Sequence, residues 1–442
     1  MTVVPETAAP PLDLRARITL RFECFRAFGQ GVLDTVGIPF ILLIADRHFN
    51  ASDTMKSIAA VNINVGMLLS PLVVTFVIVH RFKASRAAAA LMFIGGLAFS
   101  IAAIIPTLYA LIWASLLGMT CTVAAIPLIT QIYQDNYPAA LRGELFSRQN
   151  FIRISTTIAF GLLAGHFLKT NMNYFQFLVA AFAAAAFFSA YSLIRIPSSS
   201  LTDPGRHARN PFYALKFVRD DAVFRNTLIS WMLMGLANLM MVPLRVEYLS
   251  NTERFGVTLN GQPLSESMVV FLALILPSVA RLIMGLVFGK VFDRINFFLF
   301  RILVNLGFGV AILTFFTGNS FLGHIIGATI WGVSIAGGDI CWSLWVTKLA
   351  PAHRVAHYMS VHTFLTGVRG LIAPFLAFFL IAERHVPDVS WSDILSAPLI
   401  VFYLIPPIGL TGLAVLTTVM IVLSCLILLP EAFNRKPPRD VV

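Results

Sequence analysis

The sequence predicts an all-α, polytopic membrane protein with twelve transmembrane helices. Of its 442 residues, 58% are hydrophobic and only 12% are charged, whereas about a quarter of the residues are charged in an ordinary soluble protein. A bilayer-spanning helix needs roughly 20 apolar residues, so twelve of them use about 240 residues and leave room for short loops and tails. The long apolar runs exclude a transmembrane β-barrel, whose strands alternate over about ten residues.

The apolar runs place one helix after another along the chain. The predicted helices are 25–46, 57–79, 87–106, 108–133, 150–168, 174–195, 226–249, 268–290, 298–317, 321–347, 358–382 and 399–429. The segment before the first helix has no cleavage-site pattern, so we expect this first span to be uncleaved. The predicted domains are a tail (1–24), a six-helix bundle (25–195), a linker (196–225), a second six-helix bundle (226–430) and a tail (431–442).

The distribution of basic residues predicts the orientation of these helices. With the N-terminus inside, 22 of the 32 Lys and Arg residues fall on the side of both termini, 5 fall in loops on the opposite side and 5 lie within spans. Because cytoplasmic loops are enriched in Lys and Arg, both termini are predicted to be cytoplasmic in a plasma membrane, with a bacterial inner membrane favoured. This orientation accounts for the net charge of +11 without a nucleic-acid partner.

The linker between the two bundles contains one predicted element. Asn210 and Pro211 form a typical helix start, an N-cap followed by Pro at the first helical position. Phe212, Leu215 and Val218 then form an apolar stripe. The pattern predicts a short amphipathic helix on the cytoplasmic surface.

The two bundles carry traces of an internal repeat. The segment around Asp293 matches the segment around His80 at an offset of 213 positions, and Asn238 matches Asp34 at an offset of 204. The difference predicts an insertion of nine residues in the external loop that contains Gly261. Two parallel repeats in one helical bundle are typical of a transporter with a site near the membrane midplane, between the halves.

Two loop motifs carry a family resemblance. Gly289-Lys-Val-Phe-Asp-Arg294 lies between helices 8 and 9, and Asp135-Asn-Tyr-Pro-Ala-Ala-Leu-Arg-Gly143 lies between helices 4 and 5. In both motifs, and in its two six-helix halves, the sequence resembles the major facilitator superfamily. The resemblance implies the fold of that superfamily and a secondary transporter that moves a small solute by alternating access of the halves.

The same motifs supply candidates for a cytoplasmic gate. A carboxylate at the end of one helix can pair with the terminus of a neighbouring helix and hold a gate closed. The gate candidates are Asp293, Arg294, Asp135 and Arg142. In the first half, His80 and Arg81 stand where the family motif has Asp and Arg, and we interpret them as ordinary basic loop residues.

The resemblance does not assign a subfamily. Trp113 and Ala114 occupy the part of helix 4 where many proton-coupled members of the superfamily carry an Arg. Helix 5 lacks the Gly-Pro pattern of the drug antiporters. The substrates of these proton-coupled members and of the drug antiporters therefore give no prediction for this protein.

Polar residues inside the first half form one stripe along helix 1. Arg26, Gln30 and Asp34 recur every fourth residue, and Glu23 lies three residues before Arg26, so all share a helix face. An ionisable side chain at membrane depth costs at least ~2.5 kcal/mol, which makes each a functional candidate. Gln30 and Asp34 are candidates for substrate binding, and Asp34 also for proton coupling; the alternative for Asp34 is an ion pair with an Arg of another helix. Arg153 in helix 5 is interpreted as snorkelling to the interface.

Helix 7 offers further candidates. Asn238 and Arg245 are seven residues apart and share a face, so both are substrate-binding candidates. Glu247 is a proton-coupling candidate, which we expect either to pair with Arg245 or to close an external gate.

Helices 8, 10 and 11 complete the set of substrate-binding candidates. Arg281 either binds an anionic substrate or pairs with Asp34, Glu247 or Asp339. Asp339, after two glycines, is a candidate for substrate binding and for proton coupling. His362 and Arg369 are two turns apart on one face of helix 11. Histidine is the side chain that ordinarily titrates near neutral pH, which makes His362 a candidate; the alternative for His362 is a structural, hydrogen-bonded histidine.

These residues predict a secondary transporter rather than an enzyme. Five Arg residues against three acids within the spans favour an organic anion as the solute, and the acids suit proton coupling. The alternatives are a proton-driven exporter of hydrophobic or cationic compounds, or a non-transporting membrane sensor or intramembrane enzyme. We expect a monomer in the lipid bilayer that binds a small-molecule substrate and protons, and we expect no cofactor, catalytic residue, disulfide or metal site.

Overall fold

The computed structural model describes residues 12–51, 55, 58–59, 62–201, 210–250, 255, 257–259, 261–264, 266–317, 320–381 and 406–433. Within these residues, eleven helices are long and apolar enough to cross a membrane. A twelfth helical segment, at the start of the chain, carries the polar stripe that lowers its hydropathy. The twelve segments are numbered spans 1 to 12 below. The face that carries both described chain ends is called the terminal face.

Span 1 is longer than the apolar run predicts. Its helix runs from Leu14 to Asp34, eleven residues earlier than the predicted start, and continues as a π-helix, Val36–Ile41, and a short helix, Leu42–Arg47. The Asp13 carboxylate accepts a hydrogen bond from the Ala16 amide at 2.7 Å. This N-cap fixes the start of the helix, a signal that hydropathy does not carry. The first eleven positions of the predicted tail 1–24 lie outside the described residues.

The remaining spans follow in the predicted order. In the first half they are Asn62–Val79, Ala84–Ile104, Leu108–Ala124 continued by Ile126–Asn136, Arg142–Thr170, and Phe175–Ile194 after a 3-10 turn at Met172–Tyr174. In the second half they are Ala222–Ser250, Glu266–Val270 with the π-helix Phe271–Ile275 and Leu276–Arg294, Phe297–Thr317, Phe321–Leu344, Val355–Ile381 and Gly409–Phe433. Short turns at Val346–Leu349 and Ala352–Arg354 join spans 10 and 11. The first part of the predicted helix 399–429 lies outside the described residues.

The connections contain two further elements. The predicted linker helix is a 3-10 turn, Tyr213–Leu215, and one short helix, Lys216–Asp220. Phe217 is the side chain that packs into the protein, with its ring 4.9 Å from that of Tyr358, whereas Phe212 of the predicted stripe is half exposed. A two-stranded hairpin, Thr258–Leu259 with Gln262–Pro263, occupies the loop where the repeat predicts an insertion. Gly261 adopts a positive φ of 77° in its turn.

The two halves pack against each other through spans 5 and 8 and through spans 2 and 11. One cluster of buried apolar residues runs through the second half and continues into the first half near the terminal face. A second cluster is confined to the opposite part of the first half. The hydrophobic core is therefore shared between the halves on the terminal face.

Glycine allows the close approach of spans 5 and 8. A Cβ atom on Gly289 would lie 2.7 Å from the Cβ of Ser147 and 2.8 Å from the carbonyl oxygen of Gly143. A Cβ on Gly285, one turn away on the same span, would meet nothing within 4 Å. Close helix approach through small residues is a general feature of membrane bundles, which hydrophobic driving force alone does not hold together.

Substitution of Gly289 tests this contact. Because a methyl group there collides with the backbone of Gly143, we expect Gly289→Ala to lower the thermal unfolding midpoint in detergent, through a loss of about 1–3 kcal/mol typical of overpacking. Gly285→Ala is the matched control and should leave the midpoint unchanged or raise it, because alanine favours a helix. Equal midpoints for the two variants would contradict the close contact.

Candidate functional site

Two ion pairs lie in the middle of the molecule. In the first half, the Nε and Nη2 atoms of Arg153 donate to the two oxygens of Asp34 at 2.5 and 3.1 Å. Gln30 adds a bond from its amide nitrogen to Asp34 at 3.0 Å. The helix stripe that the sequence predicts therefore converges on an arginine of span 5. The interpretation of Arg153 as a snorkelling residue is wrong, since its guanidinium binds Asp34 in a bidentate geometry.

The second half holds the corresponding pair. Arg281 in span 8 donates from Nε to Asp339 in span 10 at 2.6 Å, one of the pairings that the sequence left open. The Nδ2 atom of Asn150, in span 5, approaches the same carboxylate oxygen at 3.5 Å. Asn150 belongs to the first half and lies one turn before Arg153. The two ion pairs are therefore neighbours across the boundary between the halves.

Exposure distinguishes these pairs from a structural pair nearby. The side chains of Arg153 and Asp34 are 40% and 22% exposed, and those of Arg281 and Asp339 are 31% and 23% exposed. In contrast, Glu23 is fully buried and accepts hydrogen bonds from Arg26 and from the Tyr133 hydroxyl, at 2.8 and 2.7 Å. The first two pairs can exchange partners with a solute or with water, whereas the Glu23 group is sealed within its bundle.

Arg369 and His362 lie away from these pairs, inside the second half. Arg369 donates from Nη1 to the carbonyl oxygen of Trp231 and fills the space that a side chain at Gly235 would need. His362 is fully buried. Its ring lies 5.0–5.5 Å from the rings of three tryptophans, which are Trp231, Trp342 and Trp345. Arg369 and His362 thus share one face of span 11, and this face packs against Trp231 of span 7.

Arg245 has a local partner set. Its Nη2 atom donates to the carbonyl oxygens of Leu272 and Ala273 at 3.2 and 2.9 Å, within the π-helix that follows the first turn of span 8. Its guanidinium also lies 4.6 Å from the Trp331 ring centre. A π-helix departs from the i to i−4 pattern, and the arginine binds two of its carbonyls. Asn238 and Glu247 of the same span are both partly buried.

Sequence reasoning missed one buried arginine. Arg301 was assigned with the basic residues of the loop before helix 9, but it lies inside span 9 and is only 1% exposed. Its guanidinium stacks on Trp231 at 3.4 Å from the ring centre. Its position four residues inside the predicted helix 298–317 was the available signal.

A second group of contacts joins the halves at the terminal face. The Asp293 carboxylate accepts hydrogen bonds from the amides of Gly143 and Glu144, at 2.8 and 2.9 Å, and so caps the start of span 5. Arg142 donates to the carbonyl oxygen of Thr347 across the boundary at 3.3 Å. Lys348, which lies in a loop beside them, has its pKa lowered by burial, an effect that the Asp293 charge opposes.

The remaining gate candidates have different surroundings. Asp135 accepts from the Gln131 side chain of its own span and from the Ser199 hydroxyl of the linker, at 2.8 and 2.9 Å. Gln131 in turn binds the start of span 11, where its Oε1 atom accepts from the Ala356 amide at 3.0 Å. Arg294 is exposed.

The first-half counterpart of the Asp293 cap has other contacts. His80 is exposed, and its ring stacks on Phe82 at 5.6 Å, which agrees with the interpretation of His80 as an ordinary loop residue. The contact at span 11 comes from Gln131 instead. Its side-chain oxygen accepts from a backbone amide at the start of span 11, as the Asp293 carboxylate does at the start of span 5.

Comparisons with known proteins show which family this chain matches and which solved structures it resembles. The family model described as Major Facilitator Superfamily matches residues 25–374. No curated protein sequence matches the chain significantly. The fold is similar to the human organic anion transporter MFSD10 (TM-score 0.69, 12% identity, 94% of this chain and 100% of that chain). It is also similar to the E. coli fucose:proton symporter (0.70, 11%, 94% and 99%) and to a bacterial homologue of the iron transporter ferroportin in an outward-facing state (0.66, 15%, 94% and 98%).

The family match covers most of the chain, and the solved structures share its architecture over nearly their whole length. Both agree with the fold of two six-helix halves. The chain therefore belongs to the major facilitator superfamily and is a multi-pass membrane protein of the secondary transporter class.

Proposed function

We propose that this transporter moves a small organic anion together with protons, and that the Asp34–Arg153 and Arg281–Asp339 pairs couple the two. The observation that carries the proposal is the arrangement of these four charges. Each carboxylate holds an arginine at 2.5–2.6 Å, each pair is partly exposed, and the pairs meet at the boundary between the halves.

The chemistry of the pairs suits coupled binding. A carboxylate that takes up a proton loses its charge and so no longer attracts the guanidinium. The freed arginine then offers a planar donor fork to a carboxylate or phosphate group of the solute. One proton and one monovalent anion bind without a change in net charge, which keeps the cost of carrying them through the low-dielectric membrane small.

The boundary contacts suit alternating access. Asn150 connects span 5 of the first half to the Asp339 carboxylate of the second half, and the same span begins at the Asp293 cap on the terminal face. A change of partners at Asp339 therefore acts on the helix whose start holds that face closed. We assign the roles of coupling residue to Asp34 and Asp339, and of gate residues to Asp293 and Arg142.

A second candidate is a proton-driven exporter of cationic compounds. It is favoured by one observation, namely that Arg153 and Arg281 are both bound to carboxylates, so that protons and cations compete for Asp34 and Asp339. One structural neighbour, human MFSD10, is an organic anion transporter, as in the first candidate, but at 12% identity that likeness shows the fold alone. Transport assays with both solute classes decide between the candidates.

Neutralising the two aspartates tests the coupling. Asparagine resembles a permanently protonated aspartate, so Asp34→Asn and Asp339→Asn should abolish accumulation driven by an imposed pH gradient while exchange of solute across the membrane persists. We expect at least a tenfold loss of accumulation, which corresponds to about 1.4 kcal/mol. The measurement uses proteoliposomes and radiolabelled acetate, benzoate, succinate and glycerol 3-phosphate, with tetraphenylphosphonium as the cationic probe.

Asp220→Asn is the matched control, because Asp220 is exposed beside Lys216 at 3.8 Å and far from the site. It should accumulate solute like the wild type. Full pH-driven accumulation in both Asp34→Asn and Asp339→Asn would rule out coupling through these carboxylates. Accumulation of the cationic probe alone would favour the exporter.

Removing the Asp293 cap tests the gate. Loss of a helix cap costs about 0.5–2 kcal/mol, so Asp293→Ala should open the terminal face more often, by up to about 30-fold. The reporter is Ser147→Cys, placed at a residue that is 3% exposed and packs against span 8, in a protein whose four native cysteines are replaced. A maleimide in detergent should label this cysteine faster in Asp293→Ala than in the parent.

The control for this measurement is Asp220→Ala. It removes a carboxylate from the same face but leaves the contacts between the two halves unchanged. Its labelling rate should match that of the parent. A rate that is unchanged in Asp293→Ala would remove Asp293 from the gate.

A further inference from the structure

The interior of the second half contains an excess of hydrogen-bond donors. Arg301, Arg369 and His362 all contact Trp231, the first through its ring, the second through its carbonyl oxygen and the third through ring packing. In the described part of the chain, Arg301 and Arg369 form no ion pair. Two positive charges and an imidazole thus share a small volume without a carboxylate.

Several buried nitrogen atoms in this group have no hydrogen-bond partner among the described residues. They are Nε and Nη1 of Arg301, Nε of Arg369, both ring nitrogens of His362 and the indole nitrogens of Trp231 and Trp345. All are donors except one ring nitrogen of the imidazole, and Nη2 of Arg301 donates to the Sδ atom of Met234, a weak acceptor, at 3.3 Å. Buried polar groups in folded proteins are nearly always hydrogen-bonded, and buried charges are nearly always paired. A cluster of unpaired donors around two guanidinium groups is the environment that an anion requires.

The internal repeat supplies a comparison within the same chain. In the first half, the buried Arg26 and the Tyr133 hydroxyl donate to the carboxylate of Glu23, so the protein provides the negative charge itself. At the offset of 204 positions that relates Asp34 to Asn238, Glu23 corresponds to Thr227. The Thr227 hydroxyl is fully buried and bonds to the carbonyl oxygen of Val223 at 2.7 Å. Arg26 corresponds in the same way to Ser230, so Arg301 and Arg369 occupy other positions of the fold and have no carboxylate partner among the described residues.

We propose that the second half binds one compact anion between Arg301, Arg369 and His362, where it supplies the kind of negative charge that Glu23 supplies to Arg26 in the first half. The chemistry is that of a carboxylate or a small inorganic anion, which accepts from guanidinium, imidazole and indole N–H groups. Arg369, the partly exposed member of the group, marks the side from which the anion enters. Trp231 forms the wall that holds Arg301 in place by cation–π contact.

Binding of simple anions to the purified, full-length protein in detergent tests this site. Ionic strength is kept constant with sodium gluconate, whose anion is bulky, and this is replaced stepwise by chloride, bromide, formate or acetate. A ligand that binds only the folded protein raises its thermal unfolding midpoint, so a saturable rise of at least ~2 °C is expected with an anion that fits.

Two variants and a control locate the effect. Arg301→Met and Arg369→Met keep much of the side-chain volume and remove the charge, so the rise should disappear in both. Arg245→Met removes another buried arginine of the same half, one that donates to the carbonyl oxygens of Leu272 and Ala273, and it should keep the rise. A rise that survives in both Arg301→Met and Arg369→Met would overturn the site.

Bromide provides a second readout that needs no variant. Three of the six tryptophans of the chain surround His362, and a bound bromide ion should quench their fluorescence with the same saturation as the thermal shift. If no anion gives a saturable change in either readout, water fills these donors and the proposal fails.

The choice of anions distinguishes the two possible ligands, the carboxylate group of a solute and an inorganic ion. Stabilisation by formate and acetate without stabilisation by chloride and bromide identifies the carboxylate group of a solute, and stabilisation by the halides identifies an inorganic ion. Either result supports the site. The readouts are of binding alone, so they stand whether or not Asp34 and Asp339 couple transport to protons.

Discussion

The cost of charge in a hydrocarbon environment is the constraint on which the rest of this structure depends. A charged side chain near the bilayer centre costs at least ~2.5 kcal/mol and needs a partner. Asp34 meets this requirement through Arg153, Asp339 through Arg281, and Glu23 through Arg26 and Tyr133. The Asp34–Arg153 and Arg281–Asp339 pairs each fix the rotation of two helices about their axes, because a helix that turned by a quarter would leave a charge unpaired. Glu23 and Arg26 both lie on span 1, so it is their hydrogen bonds with Tyr133 of span 4 that orient this helix.

The boundary between the halves depends on a different physical property, the absence of side chains. Gly143 and Gly289 allow spans 5 and 8 to touch backbone to backbone, and this approach brings the start of span 5 within reach of the Asp293 carboxylate. The cap then gains from the helix dipole as well as from two hydrogen bonds. The glycine contact between spans 5 and 8 and the Asp293 cap of span 5 therefore depend on each other.

Much of the fold follows from the sequence, because length and hydropathy determine where helices cross a membrane. The repeat predicted the position of the insertion, and the motif around Asp293 predicted a contact with a neighbouring helix terminus. The start of span 1 was not predictable from hydropathy, since Arg15, Arg17 and Arg21 lower it and the Asp13 cap sets the boundary.

The partners of the site were less predictable than its members. Helical periodicity identifies which residues share a face but not which helix that face meets, so Asp34 was found and its partner Arg153 was misassigned. Asp339 was one of several possible partners for Arg281. Arg301 was missed for a related reason: a count of basic residues by loop treats an arginine near a helix end as solvated, whereas Trp231 and the packing of span 9 enclose it.

The internal repeat also shows where the buried charges of the two halves differ. The buried Glu23 carboxylate neutralises Arg26, so this pair is closed to a ligand, and the first half responds through Asp34 and Arg153 instead. In the second half, Arg301 and Arg369 have no carboxylate partner among the residues that the structure describes. An anion bound there would change the electrostatic energy of the second half alone. Because the halves move as bodies in alternating access, a charge gained by one and not the other alters the balance between their relative positions.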